Sequence, residues 1–329
     1  MNTRRLILGS GLALLALPFA ARPQQPGKVW RIGYLDFGSR QASVDSGRIA
    51  ALIMGLGDQG YIEGKNMRFE GRFANGDLAR LNVLAAEMVQ QKVDVIMTVG
   101  SEASLAAHRA TISIPIVVTN TTDPVHDGYA NSLARPGHNL TGMTNGQVDT
   151  IQKLVELLAL AVPKMKLIAV LTNPTSYSGT SMLQQIQLAA RQMGKQVLPL
   201  SASTPQEIDR SFELMARERV DAIVIPTNAF LIARRAQIAE LALKHRLPLI
   251  TQSLFNTEAG GLMSYGANAN DIARHAGIFV DKILKGARPG DIPFEQPTRF
   301  YLTINGKTAR DLGIQISQEL LLRADKVIE

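Results

Sequence analysis

Apolar and polar positions along the chain alternate between two periods. Lys28–Leu35 (KVWRIGYL) is a β-rich run that stops at Asp36-Phe37-Gly38-Ser39. Ser46–Leu56 has helical spacing, and Asn66–Phe73 reads as a strand. Leu78–Val89 sets Leu81, Leu84, Ala85 and Met88 on one helical face. Val93–Val99 (VDVIMTV) is continuously apolar and ends at Gly100-Ser101. Glu102–Ala110 is helical, and Ile114–Thr119 (IPIVVT) is a strand ending at Asn120-Thr121-Thr122-Asp123-Pro124. Asp123-Pro124 reads as the N-cap and first position of a helix near Val125–Leu133. Fully apolar strands alternating with amphipathic helices predict an α/β fold, with a parallel sheet covered by helices on both faces.

The same order then returns. Lys164–Leu171 (KMKLIAVL) echoes Lys28–Leu35, Gln196–Leu200 is the second strand, and the helix Pro205–Glu218 has the register of Leu78–Gln91. Arg219-Val220-Asp221-Ala222-Ile223 matches Lys92-Val93-Asp94-Val95-Ile96, and Leu247-Pro248-Leu249-Ile250-Thr251 matches Ile114-Pro115-Ile116-Val117-Val118. Duplication predicts two Rossmann-like lobes joined by hinge crossings. Asn139–Gly146 should cross into the second lobe, and Gly260–Gly266 (GGLMSYG) should cross back. The helix Ile272–Leu284 should pack on the first lobe, and the strand Thr298–Ile304 should form the third crossing. The expected limits are 28–141 with 267–297 for lobe one, and 146–262 with 298–329 for lobe two. Short crossings act as hinges, so closure on a ligand is expected.

Ligands of open parallel sheets bind beyond the carboxyl ends of the strands. The candidate contacts from lobe one are therefore Asp36, Phe37, Ser39, Ser101, Thr121, Thr122 and Asp123. Lobe two offers Asn173, Ser176, Tyr177, Thr227, Asn228 and Gln252. Ser101, and Thr175 or Ser176, open helices, where a hydroxyl beside free N–H groups suits a carboxylate or phosphate, or simply caps the helix. Asp36 or Asp123 would meet a ligand ammonium. Phe37, Tyr177 or Phe230 could supply an apolar wall, where burying a ligand side chain is worth about 1.5–3 kcal/mol.

Composition narrows the chemistry. The 329 residues include no cysteine, which excludes disulfides, thiolate metal sites, a thiol nucleophile and an N-terminal lipidated cysteine. Gly55-Leu56-Gly57-Asp58-Gln59-Gly60 matches the dinucleotide fingerprint but follows a helical run, so it reads as a helix end and turn. Five scattered histidines show no metal-ligand spacing, and neither a cofactor nor a metal is expected. The net charge is +7, yet no aromatic-interleaved basic stripe is present and the basic group Lys282–Arg288 is flanked by Asp281 and Asp291, so nucleic acid is not an expected partner. Met1–Ala21 (MNTRRLILGSGLALLALPFAA) has a basic start, an apolar core and small residues Ala20 and Ala21, as an export signal does. Cleavage near residue 21, by either the general or the twin-arginine route, would remove Arg4 and Arg5 and take the charge from +7 to +5.

Several strings add a family resemblance. They include Arg31-Ile32-Gly33-Tyr34-Leu35, Gly60-Tyr61-Ile62-Glu63-Gly64, Asp123-Pro124-Val125, Ser132–Gly142 (SLARPGHNLTG), Asn173-Pro174, Glu258–Gly266 (EAGGLMSYG) and the tail LLRADKVIE. On these the chain resembles ABC-transporter substrate-binding proteins, among them tryptophan/tyrosine-type solute receptors, with the type I periplasmic-binding-protein fold. The resemblance implies a periplasmic, non-enzymatic receptor of an ABC importer, probing small solutes as a monomer. Its protein partner would be an inner-membrane permease, with the ATPase reached only indirectly. The expected solute carries a carboxylate, as an amino acid or related compound does. Ser101 with Thr121 or Thr122 would hold that carboxylate, and Asn173, Ser176, Tyr177, Thr227 and Asn228 would close over it. Two other readings remain: a secreted enzyme in the same cleft, which needs a nucleophile–base pair or metal cluster, and the effector-binding half of a regulator, which needs a DNA-binding head.

Overall fold

The computed structural model describes residues 28–176 and 179–329. The expected export signal Met1–Ala21 and the candidate Tyr177 lie outside them. The first half runs β1 (Trp30–Asp36), α1 (Arg40–Asp45), α2 (Arg48–Asp58), β2 (Met67–Phe73), α3 (Leu78–Gln90), β3 (Val95–Val99), α4 (Gly100–Ala110), β4 (Ile116–Thr121) and β5 (Leu140–Thr144). These strands form a parallel sheet in the order β2-β1-β3-β4-β5. The chain continues through α5 (Gln147–Ala161), β6 (Leu167–Thr172), α6 (Gly179–Gln192), β7 (Gln196–Ser201), α7 (Pro205–Arg217), β8 (Ala222–Ile225), α8 (Ala229–Ala233), α9 (Arg235–Lys244), β9 (Leu249–Thr251), α10 (Leu254–Glu258) and β10 (Met263–Gly266). It ends with α11 (Ala269–Leu284), β11 (Tyr301–Asn305), α12 (Gly306–Leu312), α13 (Gln318–Arg323) and β12 (Lys326–Ile328). The second sheet has the order β12-β11-β10-β9-β8-β6-β7, parallel except where β11 runs against β10.

The central strands of both sheets are buried on two faces, which is why they are largely apolar, while the edge strands β2 and β7 carry polar, part-exposed positions. In lobe one, Leu35, Ile96 and Val118 pack under Leu81, Leu84 and Met88 of α3. On the opposite face Ile32, Val95, Met97 and Val117 pack against Leu52 and Leu56 of α2 and Ile272, Phe279 and Val280 of α11. Lobe two repeats the plan, with α5 and α6 on one face and α7 and α9 on the other. The duplicated Val-Asp pair has a duplicated task. Asp94 Oδ2 accepts Arg31 N–H at 2.8 Å, and Asp221 Oδ2 accepts Lys166 and Leu167 N–H at 2.7 and 3.0 Å. Each carboxylate thus satisfies backbone donors at the start of its lobe's first strand.

Gly55 is explained by packing rather than phosphate binding. A Cβ there would lie 1.9 Å from Arg274 O, and one at Gly277 would lie 2.3 Å from Gly55 O. Two glycines let α2 and α11 meet backbone to backbone, while Gly60 (φ 88) shapes the turn after α2.

The crossings differ in detail from expectation. Leu140–Thr144 belongs to the first sheet, so the chain leaves lobe one at Asn145-Gly146. Gly260–Gly266 does not cross: Met263–Gly266 pairs with β9, and the return comes at Ala267-Asn268. The third passage precedes the expected strand, since Glu295 still bonds to the edge of β5 (Glu295 N to Gly142 O 2.9 Å, Thr144 N to Glu295 O 3.0 Å). Val125–Leu133 is not a helix. Asp123 caps one turn through Val125 N and His126 N, and Gly128 (φ 82) then ends it. α4 begins at Gly100, two residues before the expected start.

Candidate functional site

The carboxyl ends of β1, β3 and β4 face those of β6 and β8, with α8 and α10 alongside, across a cleft of about 740 Å³. Of the candidates, Asp36, Phe37, Ser39, Ser101 and Thr122 line it from lobe one, and Ser176, Thr227 and Asn228 from lobe two. Phe37, Phe230 and Phe255 bring aromatic rings to its walls.

Asp36 is nearly fully buried and already served. It accepts from Tyr34 Oη (3.0 Å), Gly38 N (2.8 Å), Ser43 Oγ (2.5 Å) and Arg48 Nη1 (3.2 Å). Burial, reinforced by Asp36, pushes the Tyr34 phenol far up. Asp36 therefore fixes the β1–α1 loop instead of standing ready for an ammonium. Ser39 accepts from Ala42 N and caps α1.

Four other candidates sit off the cleft surface. Thr121 is buried, its hydroxyl bonded to Ser101 Oγ (3.1 Å) and to Tyr129 Oη. Asp123 caps the turn described above. Asn173 Oδ1 accepts from Thr175 N (2.9 Å) and Thr175 Oγ1 (2.8 Å), holding the β6–α6 loop. Gln252 Nε2 donates to Gln147 O (2.8 Å) and Thr150 Oγ1 (2.9 Å), pinning α5, and its side borders a separate cavity of about 270 Å³ with Ser264, Thr303 and Arg299. Strand-end position alone did not say which way these side chains point.

Sequence reasoning missed Glu102, Arg48 and Phe255 on the wall. Glu102 stands in the first turn of α4, and Asn228 Nδ2 of the other lobe donates to its Oε1 at 3.3 Å. An acid in a first turn suits the helix dipole, so nothing in the sequence marked it out. Burial, and then Asp127, push the Glu102 carboxyl above its ordinary range, while its own N–H and Asn228 draw it partly back. Asp127 is 9% exposed, and neither carboxylate oxygen has a hydrogen-bond partner among the described residues. Burial and then Asp123 raise it, with the nearby Ser101 and Tyr129 hydroxyls and His126 opposing. Thr227 Oγ1, on the facing wall, is likewise shielded and without a partner among the described residues.

Among the described residues, no three histidine or acidic side chains are grouped to hold a metal ion. No helix of the described residues is long and apolar enough to cross a membrane.

Comparison with known proteins gives this geometry a context. Residues 43–328 match a family model described as ABC transporter substrate binding protein. A tyrosine-binding protein of Clostridioides difficile is 27% identical over 263 residues, covering 80% of this chain and 75% of that protein. A conserved domain protein from Vibrio cholerae superposes with a TM-score of 0.85 at 27% identity, over 91% of this chain and 100% of that one. An ABC domain from Streptococcus pneumoniae in complex with L-Trp also gives 0.85, at 25% identity over 91% of this chain and 99% of that one.

Proposed function

The chain belongs to the ABC transporter substrate-binding protein family, and on that premise we propose that it is the periplasmic solute receptor of an importer, capturing an amino acid with a large apolar side chain in the interlobe cleft. The observation that carries this reading is the two-sided lining of one cleft. Phe37 from lobe one and Phe230 and Phe255 from lobe two offer an apolar wall, beside the polar groups of Ser101, Thr122, Ser176, Thr227 and Asn228. A cleft of this size, in which a few aromatic rings stand among many hydroxyl, amide and charged groups, suits a small organic solute that carries both an apolar part and polar groups. The C. difficile relative is named for tyrosine and the pneumococcal structure holds L-Trp, which favours an aromatic side chain.

In this reading the expected limits extend to take in all of β5 and β10, so that residues 28–144 with 267–297 form one jaw and 146–266 with 298–329 the other. A solute touching both jaws binds the closed arrangement better than the open one and so shifts the population towards it. The permease would read the closed surface, and the expected export signal Met1–Ala21 would place the receptor outside the inner membrane. The protein's task is capture and hand-over, and its family is one of binding proteins.

Calorimetry and thermal melting with aromatic and aliphatic amino acids, sugars, nucleosides and organic acids test the reading. Tyrosine or tryptophan at a hundredfold excess over Kd is expected to add about 2.7 kcal/mol of stability. Stabilisation by a sugar or nucleoside with none from any amino acid would replace the proposed solute.

A further inference from the structure

The lobe-one wall carries a carboxyl, Glu102, that forms no ion pair among the described residues. Glu102 Oε1 accepts only an amide hydrogen, from Asn228 Nδ2 at 3.3 Å. That amide cannot turn round, because its Oδ1 accepts from Phe230 N (2.9 Å) and Leu231 N (3.3 Å) to cap α8. Glu102 Oε2 has no side-chain donor among the described residues. Nearby, Asp127 is 9% exposed, with the Ser101 and Tyr129 hydroxyls and His126 around it. Among the described residues, none of the basic side chains lining the cleft pairs with Glu102. Arg48 pairs with Asp36 at 3.2 Å, Arg235 Nη1 donates to Ile232 O at 3.2 Å, and Arg234 is exposed.

The start of α4 sharpens the point. No side chain caps this helix from outside its first turn. Open N–H groups at a helix start would ordinarily welcome a solute carboxylate. Here Glu102 rises from that turn and holds its own carboxyl there, with Oε2 3.6 Å from where a Gly100 Cβ would sit. The anion seat is thus filled by the chain, and an incoming carboxylate would meet that of Glu102. Carboxyls withdrawn from water without a counter-charge are costly, and a cation brought by the ligand offsets that cost.

We propose that Glu102 is a specificity-determining residue that receives the ammonium, or another cationic N–H donor, of the solute, so that the cleft selects amine-bearing compounds and rejects those presenting only a carboxylate. Asn228 donates to one oxygen of the carboxyl from the opposite lobe while the solute donates to the other, so recognition and closure meet at one side chain. This inference rests on the cleft being the solute site, as proposed above.

The test uses matched probes on the full mature chain. L-tyrosine, tyramine and 3-(4-hydroxyphenyl)propionate form an aromatic set, and L-leucine, 3-methylbutylamine and 4-methylpentanoate an aliphatic one. Within a set that binds, each amine-bearing probe is expected to bind at least about tenfold tighter than the carboxylate-only probe, the scale of one charge-assisted hydrogen bond. E102Q keeps the shape and the acceptor for Asn228, and is expected to lose that preference while melting as the wild type does in the absence of solute or above it. A carboxylate-only probe binding as tightly as its amine partner, or E102Q retaining the preference, overturns the proposal. Preference for amines in the aliphatic set alone sinks the aromatic reading and leaves this one standing. No binding by any amine-bearing probe overturns it outright.

Discussion

Four donors converge on Asp36, and its partner Arg48 is itself only 14% exposed at the side chain. Removing one member of such a pair leaves the other buried and unpaired, so D36A is expected to cost about 3–5 kcal/mol in urea unfolding. D36N, which keeps acceptor oxygen for Tyr34 and Ser43, should cost less. That Asp36 reaches the cleft wall was legible, because it ends an apolar strand. Its four partners were not, since the spacing of Ser46–Leu56 does not say that Arg48 points back at β1. Glu102 and Asp127 carry a pH consequence. Both carboxyls are raised by burial, so above the ordinary carboxylate range the folded state holds protons that the unfolded chain has released. Stability from these two groups is therefore greatest in acid and falls as pH climbs through the raised range. Melting temperatures of D127N and the wild type should diverge in the variant's favour with rising pH. A gap that does not change with pH would count against it.

Helix α2 meets α11 through Gly55 and Gly277, where an added Cβ would strike backbone oxygen at 1.9 and 2.3 Å. G55A is expected to cost about 1–3 kcal/mol or more, because backbone rather than a flexible side chain must yield. Gly57 lies in the same helix with nothing within 4 Å of its would-be Cβ. G57A should therefore stabilise by about 0.4–1 kcal/mol, through a less flexible unfolded chain. Urea midpoints of the two variants, moving in opposite directions, check the pair. At this scale most strands and helices were legible, since each apolar run had to be covered on two faces. Two of the departures have a cause that can be named. Gly128 stops the turn that Asp123-Pro124 starts, and Met263–Gly266 finds a strand partner in β9 that local sequence could not reveal. The Val-Asp repeat was visible as a pattern, but that Asp94 and Asp221 serve the backbone of β1 and of the β6 entrance required the sheets.

For the whole molecule, two lobes sharing three crossings should close when both walls grip a solute. X-ray scattering is expected to show a smaller radius of gyration on adding solute, and an unchanged profile in the presence of a calorimetrically binding compound would refute closure. The duplicated lobes were legible because β-α order and the Val-Asp and x-Pro-x strand openings recur. How the walls divide the polar groups was not, because it depends on side-chain direction across lobes distant in sequence, as between Glu102 and Asn228. The interlacing also sets a timetable. α11 covers Ile32, Val95, Met97 and Val117 of the first sheet, yet it is made only after all of lobe two up to β10. β11 and β12, which complete the second sheet, emerge later still. A growing chain therefore cannot finish its first lobe and set it aside, since α11, β11 and β12 close the two cores only after β10 has been made. The nascent protein should stay pliable until those segments have been made, and a chain stopped at Gly266 should bind a dye that reports exposed apolar surface.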